Sequence, residues 1–383
     1  MISFFRLIII CLISAAIAAA SVSFFITSLN AITDLRDFLP GLIYFLPLAG
    51  LIIGIFNHKF GRVSGGGLHL ILEEVKTPRK ILSWMTAPLI YLGTLFSHLV
   101  GASTGREGAA VQIGTSLADQ LNHFFSLNPF ERRTVLSATI ATSFGVAIGA
   151  PLAGIIFAWE ICKAGRWRSL PYSILATLFA LKLTPYFGLP HISWRIPTIP
   201  LFSLDMLWGL PAVAIAMAFI ANIFIWTHSK LDDLSKRYLS STILRGLVGS
   251  SLLLGLFLLI GNSRYAGLGL NTIEATLQGV TEPHDMWYKL SATILSLVAG
   301  LKGGEFTPLV FIGSSLGAAL SQVLPFSFDF LAAIGFVTIY GCVMGAPWTM
   351  AVMAAEIFSP GIFPYALIVT SMASLLTRRA NTH

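Results

Sequence analysis

The chain has 383 residues, of which 55% are hydrophobic and only 11% are charged. A mean hydropathy of +0.81 excludes an ordinary soluble globular protein, in which about a quarter of the residues are charged. The net charge of +7 comes from Lys and Arg residues that stand in short segments between apolar runs. This bias is typical of membrane-protein loops that face the cytoplasm and anionic lipid, so we expect contacts with membrane lipid and no nucleic-acid partner.

Long uncharged runs predict membrane-spanning helices along the whole chain. A helix needs about 20 apolar residues to cross a hydrocarbon core of ~30 Å. Runs of that length cover residues 7–33, 81–105, 134–159, 206–229 and 357–377. Further apolar segments, some of them broken by Gly or Pro, bring the total to roughly a dozen membrane segments. The predicted fold class is an all-α polytopic membrane protein without a soluble domain.

The sequence repeats itself at a nearly constant offset. A Gly-Ala-Pro motif at residues 149–151 returns at 345–347, 196 residues later, and an Ile-Gly pair at residue 113 returns at residue 312, 199 residues later. We therefore predict two transmembrane repeats, residues 1–195 and 196–383. Two halves with the same order of glycine-rich breaks are typical of transporters whose broken helices meet near the middle of the membrane. An odd number of crossings in each half would make the repeats inverted.

Glycine-rich segments predict where the helices break. The candidate breaks are residues 64–67, 105–108, 267–269 and 303–308. The N-terminus of a helix presents unpaired N–H groups and about half a positive charge, so it can hold an anion without a fixed cation. Irregular backbone is tolerated at membrane depth only inside the protein or along a cavity. The breaks therefore predict a binding site for a small anion.

One carboxylate, Glu107, stands between two glycines at the second break. An ionisable group at membrane depth costs about 2.5–3.5 kcal/mol on insertion scales and usually serves ion or proton traffic. The alternative interpretation is a carboxylate that only stabilises the first turn of a helix. Glu305, at the fourth break, has a similar pair of interpretations: proton transfer, or a capping group that faces a loop.

No catalytic or metal-binding pattern accompanies these carboxylates. Cys11, Cys162 and Cys342 are far apart and form no CxxC motif, and the eight histidines form no HExxH motif. We expect no metal, no cofactor and no enzymatic activity. A membrane enzyme or scaffold is accordingly the least favoured of three function classes, behind a coupled antiporter and a passive channel.

Three motifs together resemble the CLC chloride channel and transporter family over nearly the whole chain. They are GREGAAVQIG from Gly105, GAPLAG from Gly149 and GGEFTPLVFIG from Gly303, in this order. The resemblance implies an inverted-repeat helical fold with broken helices, and a multi-pass homodimer in the cell (inner) membrane with one anion pathway per subunit. It also implies that Glu107 gates this pathway, blocking it when ionised and swinging aside when protonated.

Departures from the chloride-type pattern are similar to those of the CLC-F branch, which comprises bacterial fluoride/proton antiporters. The family's GSGIP loop reads GGGLH here, with Gly66 in place of the serine that contacts chloride. Ile161 stands in place of the inner proton glutamate. The GGIFAP segment reads GGEFTP, with Glu305 and Thr307 where apolar residues are usual.

The resemblance implies an exchange of fluoride, or another halide, for protons. Glu107 would carry protons and compete with the anion, and Glu305 would replace the missing inner glutamate. The predicted anion-binding residues are Gly65, Gly66, Gly67, Leu68, Gly105, Arg106, Gly108, Phe306 and Thr307. The alternative function is a passive anion channel, which is favoured if Glu305 carries no protons.

Overall fold

A computed structural model describes residues 2–64, 67–189, 194, 199–201 and 203–377. These residues form 17 α-helices and three short 3-10 helices, without a β-strand. The first nine are α1 Ile2–Phe38, α2 Leu46–Ser64, α3 Gly67–Lys76, α4 Thr86–Leu99, α5 Glu107–Ala118, α6 Leu121–Phe125, α7 Pro129–Ile148, α8 Pro151–Ile161 and α9 Arg166–Leu183. The others are α10 Met206–Tyr238, α11 Thr242–Ile260, α12 Leu270–Leu277, α13 Asp285–Val298, α14 Phe306–Leu320, α15 Phe328–Met344, α16 Pro347–Ile357 and α17 Phe363–Leu376. The 3-10 helices are Pro40–Phe45, Thr184–Phe187 and Pro360–Ile362.

The order of the helices follows the sequence repeat. Helices α5 and α14 begin at residues 107 and 306, which are 199 positions apart, and α7 and α15 begin at residues 129 and 328, with the same offset. Helices α8 and α16 begin at residues 151 and 347, 196 positions apart. All four predicted breaks coincide with helix boundaries. The division into repeats 1–195 and 196–383 stays a prediction.

The repeated Gly-Ala-Pro motif is itself a helix break. Gly149 and Gly345 follow α7 and α15 with φ values of +81° and +64°, in the left-handed region that glycine adopts without steric cost. Pro151 and Pro347 then start α8 and α16, where the missing N–H group needs no helical partner. The uncharged run 134–159 is therefore two helices. Its length alone suggests one membrane-spanning helix. That interpretation is wrong, because Gly149 and Pro151 end one helix and start the next within the apolar run.

Within the described ranges, four helical segments are long and apolar enough to cross a membrane unaided. They are Phe4–Phe38, Pro40–Gly61, Met206–Tyr238 and Thr242–Ile260. Large apolar side chains point outward from these segments, for example Leu259 with 87% of its surface exposed and Phe219 with 62%. Surface of this kind suits contact with lipid tails rather than with water. The chain is an integral membrane protein, as its composition predicts.

The helices group into two compact units. The first unit comprises Met1–Asp34, Lys59–Leu95 and Arg106–Ile192, and the second comprises Leu35–His58, Phe96–Gly105 and Ser193–His383. In the first unit α5 packs against α3 and α7. In the second unit α14 packs against α12, α13 and α15. Each unit thus places two of the helices that begin at predicted breaks against each other.

Glycines allow α14 and α15 to pack with their backbones in contact. A Cβ atom added at Gly313 would lie 2.0 Å from the carbonyl oxygen of Gly335, and one added at Gly335 would lie 2.0 Å from that of Gly313. One turn later, a Cβ atom at Gly317 would lie 2.0 Å from the carbonyl oxygen of Leu331. Small residues spaced four apart are the usual means of such close approach between membrane helices.

We expect Gly313→Ala to destabilise the protein by about 1–3 kcal/mol, because the new methyl group meets backbone atoms that cannot rotate away. The measurement is the melting temperature of the detergent-purified protein. The control is Gly255→Ala in α11, where an added Cβ meets nothing within 4 Å. Alanine should leave that helix unchanged or slightly more stable. Equal melting temperatures for the two variants would contradict the packing argument.

Candidate functional site

Glu107 is the first residue of α5, and only 4% of its surface is exposed. Its Oε2 atom accepts a hydrogen bond of 3.1 Å from the backbone N–H of Arg106. Its Oε1 atom lies 3.7 Å from Nε of Arg106. The carboxylate therefore lies against the positive end of α5, where backbone N–H groups have no helical acceptor. A small anion at this helix start would use the same donors.

Arg106 holds the N-cap position of α5, with its side chain 13% exposed. Its Nη1 atom donates a 3.3 Å hydrogen bond to Oδ1 of Asn30 in α1. The contact with Glu107 is longer than a hydrogen bond, so the attraction between these two side chains is an ion pair only. Gly108 follows, and its carbonyl oxygen accepts a bond of 3.1 Å from Nε2 of Gln112. Arg106, Glu107 and Gly108 thus form one continuous turn in the first unit.

In the second unit, the segments that precede α5 and α14 pair with each other. Gly105 and Gly304 form an antiparallel bridge, in which each N–H donates to the carbonyl oxygen of the other at 2.5 and 2.7 Å. These two glycines are 199 residues apart and are therefore equivalent in the repeat. An antiparallel pair of equivalent residues is the arrangement that a local two-fold axis produces. The bridge agrees with the predicted inversion of the two broken segments.

The start of α14 carries the other predicted site residues. Glu305 is half-buried at the N-cap position and makes no side-chain capping bond. Phe306 and Thr307, the first two residues of the helix, are buried. The ring of Phe306 meets that of Tyr340 edge to face, with centroids 4.6 Å apart. The carboxyl group of Glu305 is thus carried at a helix start whose next two side chains are packed inside the protein.

The remaining predicted anion-binding residues belong to the first break. Gly65 and Gly66 lie outside the described residues. Gly67 and Leu68 begin α3, with Gly67 at a φ of +54°. The far end of α3 is held by Arg133 of α7, which donates to the carbonyl oxygens of residues 75 and 76 at 2.8 and 3.1 Å. Because α3 packs against α5, the first unit sets two predicted helix starts on neighbouring helices.

Sequence reasoning missed a buried cation at the third break. Lys289 is fully buried in α13 and donates to the carbonyl oxygens of Tyr265 and Gly267, at 3.1 and 2.7 Å. Its ammonium group also lies 5.2 Å from the ring centroid of Phe311. The lysine thereby supplies donors to carbonyl groups just before α12 begins. The available signal was a cation in an otherwise apolar stretch of α13.

The structure sorts the predicted residues between the two units. The first unit holds Gly67, Leu68, Arg106, Glu107 and Gly108. The second unit holds Gly105, Glu305, Phe306 and Thr307. The functional roles of all these residues stay predictions. Across the part of the chain that the structure describes, no three His, Cys, Asp or Glu residues group as metal ligands.

Comparisons of sequence place the chain among anion-transport proteins. A family profile described as "Voltage gated chloride channel" matches residues 49–378. A chloride/fluoride channel protein of Pseudomonas syringae pv. tomato is 35% identical over 371 residues, which cover 95% of this chain and 82% of that protein. An H(+)/Cl(-) exchange transporter, ClcA, of Salmonella arizonae is 24% identical, over 92% of this chain and 78% of that protein.

Comparisons of structure agree with the sequence matches. A crystal structure described as a CLC-type fluoride/proton antiporter superposes with a TM-score of 0.93 at 28% identity, covering 98% of this chain and 96% of that one. A slow cyanobacterial Cl-/H+ antiporter superposes with a TM-score of 0.84 at 17% identity, over 97% and 94% of the two chains, and shows the shared fold alone. The predicted all-α membrane fold is confirmed, and the chain belongs to the CLC family of voltage-gated chloride channels and anion transporters.

Proposed function

We propose that this protein exchanges fluoride for protons across the cell membrane. The relatives that support the proposal are the chloride/fluoride channel protein and the fluoride/proton antiporter structure. The observation that carries it is the position of Glu107, whose buried carboxylate accepts the N–H of Arg106 at the start of α5. One group there can serve both ions, because it is itself an anion and also binds a proton.

Competition for the same donors couples the two ions. An ionised Glu107 accepts the N–H of Arg106 and lies at the positive end of α5, with its Oε1 atom 3.7 Å from Nε of Arg106. Protonation removes the charge, so the side chain loses its attraction to the helix start and the donors become available to fluoride. Fluoride is small and strongly hydrated, so it leaves water only where several donors replace its hydration shell. Backbone N–H groups at glycine-rich helix starts meet this need with little steric hindrance.

A second proton-carrying group is required for a complete exchange cycle, and we assign this role to Glu305. Ile161 has no proton to transfer, whereas Glu305 presents a half-buried carboxyl group at the N-cap of α14. If Glu305 carries no protons, the passive anion channel becomes the better description of the protein. The two functions differ in one measurable respect: an antiporter moves protons uphill when fluoride moves downhill, and a channel does not.

We further propose that the protein works as a homodimer in the inner membrane of a bacterial cell. The proposal rests on membership of the CLC family and on the extensive apolar surface of the described helices. The expected result for a fluorescently labelled protein at low density in vesicles is two bleaching steps per particle. A majority of single-step particles at complete labelling would contradict the dimer.

We expect Glu107→Gln to abolish proton coupling while fluoride still moves. The amide has the shape of the protonated acid but cannot titrate, so it neither carries a proton nor competes as an anion. In proteoliposomes with an outward fluoride gradient, proton uptake should fall to the level of protein-free vesicles. Fluoride efflux should continue, because the neutral amide leaves the N–H donors at the start of α5 to the anion.

The control for Glu107→Gln is Glu73→Gln in α3, a carboxylate whose side chain is 63% exposed. This control should retain the wild-type ratio of protons to fluoride ions. Normal coupling in the Glu107 variant would refute the assignment of Glu107. An absence of proton uptake in the wild-type protein itself, with fluoride efflux intact, would establish a channel.

We expect Glu305→Gln to reduce proton uptake at least tenfold, which corresponds to about 1.4 kcal/mol in activation free energy, because the amide cannot carry a proton. Fluoride efflux should stay within a factor of about three. The control is Glu274→Gln in α12, an exposed glutamate. Proton and fluoride fluxes are recorded in the same vesicles. A Glu305 variant that couples as well as the Glu274 variant would assign Glu305 a structural role only.

A further inference from the structure

Two buried serines hold the segments that precede α5 and α14 in a reciprocal manner. The Oγ atom of Ser296, in α13, accepts a 2.9 Å hydrogen bond from the backbone N–H of Ser103. The Oγ atom of Ser97, in α4, accepts a 2.9 Å hydrogen bond from the backbone N–H of Lys302. Both serine side chains are fully buried. Each serine therefore fixes the segment that enters the broken helix of the other half.

The reciprocity follows the sequence repeat residue by residue. Residues 97 and 296 are 199 positions apart, and so are residues 103 and 302, with the same offset as the Gly105–Gly304 bridge. The two N–H to Oγ bonds are thus one interaction made twice. Repetition of one hydrogen bond at equivalent positions indicates a built feature, because a chance contact would not recur with the same length on both sides.

Each serine also fixes the end of its own helix through its backbone. The carbonyl oxygen of Ser97 accepts the N–H of Ala102 at 2.9 Å, and that of Ser296 accepts the N–H of Leu301 at 3.2 Å. Gly101 and Gly300, with φ values of +87° and +75°, complete a Schellman motif at the end of α4 and α13. A serine at this position therefore joins two segments: its carbonyl binds its own loop, and its hydroxyl binds the loop of the other half.

Further contacts join these segments to α13 and to each other. The hydroxyl groups of Ser103 and Thr293 lie 3.1 Å apart, and Oγ1 of Thr104 donates to the carbonyl oxygen of Lys302 at 3.3 Å. A Cβ atom at Gly303 would lie 2.3 Å from that Thr104 oxygen. Residues 104 and 105 therefore contact residues 302–304 within the second unit.

We infer that Ser97 and Ser296 form a serine latch, a positioning pair that keeps the entry segments of α5 and α14 in fixed register. The latch rests on the proposed function, in which Glu107 and Glu305 both carry protons during the exchange for fluoride. The positions of the two entry segments then decide whether a proton moves with each anion. Glu107 lies two residues after segment 103–105, and Glu305 lies one residue after segment 302–304. Loss of either serine would let one entry segment shift, so fluoride would pass without its proton.

The test compares Ser97→Ala, Ser296→Ala and the double variant with the wild-type protein in proteoliposomes. Each single variant should lower the ratio of protons to fluoride ions about tenfold, the factor that corresponds to one hydrogen bond at a buried group. The double variant should lie within about twofold of either single variant, because the two bonds hold one pair of segments and act as a unit. Ser296→Thr, which keeps the hydroxyl group, should restore coupling.

Amide hydrogen exchange gives a readout that does not depend on transport. Ser296→Ala should accelerate exchange in the peptide that contains Ser103, and Ser97→Ala in the peptide that contains Lys302. The matched control is Ser250→Ala in α11, a fully buried serine whose hydroxyl donates to its own helix, to the carbonyl oxygen of Gly246, as that of Ser296 does to Ala292. The control should change neither exchange nor coupling.

The outcomes separate the latch from the proposed function. If the serine variants keep both the proton-to-fluoride ratio and the amide protection of the Ser250 control, the latch is refuted. If they lose protection but keep the ratio, the bonds are structural only and the positioning role is refuted. If the wild type and the Ser250 control move fluoride without protons, the proposed antiport fails, and amide exchange alone then decides whether the bonds hold the segments.

Discussion

The backbone groups of a broken helix inside a membrane must find partners within the protein, and this constraint governs the segments that precede α5, α12 and α14. Each unpaired N–H or C=O group at that depth costs several kcal/mol. The protein meets the cost by pairing Gly105 with Gly304 and by binding the carbonyl oxygens of Tyr265 and Gly267 with Lys289. At the start of α5 a titratable side chain, Glu107, accepts the backbone N–H of Arg106.

Glycine is required at position 303, next to the bridge, because two equivalent segments meet there. Thr104 and Gly303 occupy equivalent positions 199 residues apart, and the side chain of Thr104 fills the space that a side chain at 303 would need. A φ of +147° at Gly303 adds a second reason, since L-residues with side chains rarely adopt it. Only one of the two positions can carry a side chain, so the repeat is necessarily imperfect at its centre.

The sequence was most informative wherever a local rule decides the structure. Gly and Pro spacing predicted the breaks, including the starts of α5 and α14, because backbone conformation is a short-range property. The constant offset predicted the repeat. Hydropathy alone predicted one helix for run 134–159, because the length of an apolar run does not show the Gly-Ala-Pro break inside it. The composition also could not show how few helices are long enough to span a membrane unaided.

Residues that act across long sequence separations were out of reach of sequence reasoning. Ser97, Ser296 and Asn30 are ordinary helix residues by pattern, and only the folded chain brings them to Lys302, Ser103 and Arg106. The repeat did contain one unused signal. A serine recurs at 97 and 296, and a threonine at 94 and 293, with the same offset of 199. Polar residues kept at equivalent positions of two apolar helices suggest shared hydrogen bonds.

The two halves share the positions of their helix starts but differ in the side chains found there. Arg106 and Glu305 are equivalent N-cap residues with opposite charge, and Glu107 is equivalent to Phe306. If both halves carried the α5 pattern, two arginines and two glutamates would stand at membrane depth, at an insertion cost of about 2.5–3.5 kcal/mol each. The first residue of α5 is a buried carboxylate, whereas the first residue of α14 is an aromatic ring packed against Tyr340. The repeat therefore makes the two helix starts equivalent in backbone, and the side chains at residues 106–107 and 305–306 make them chemically different.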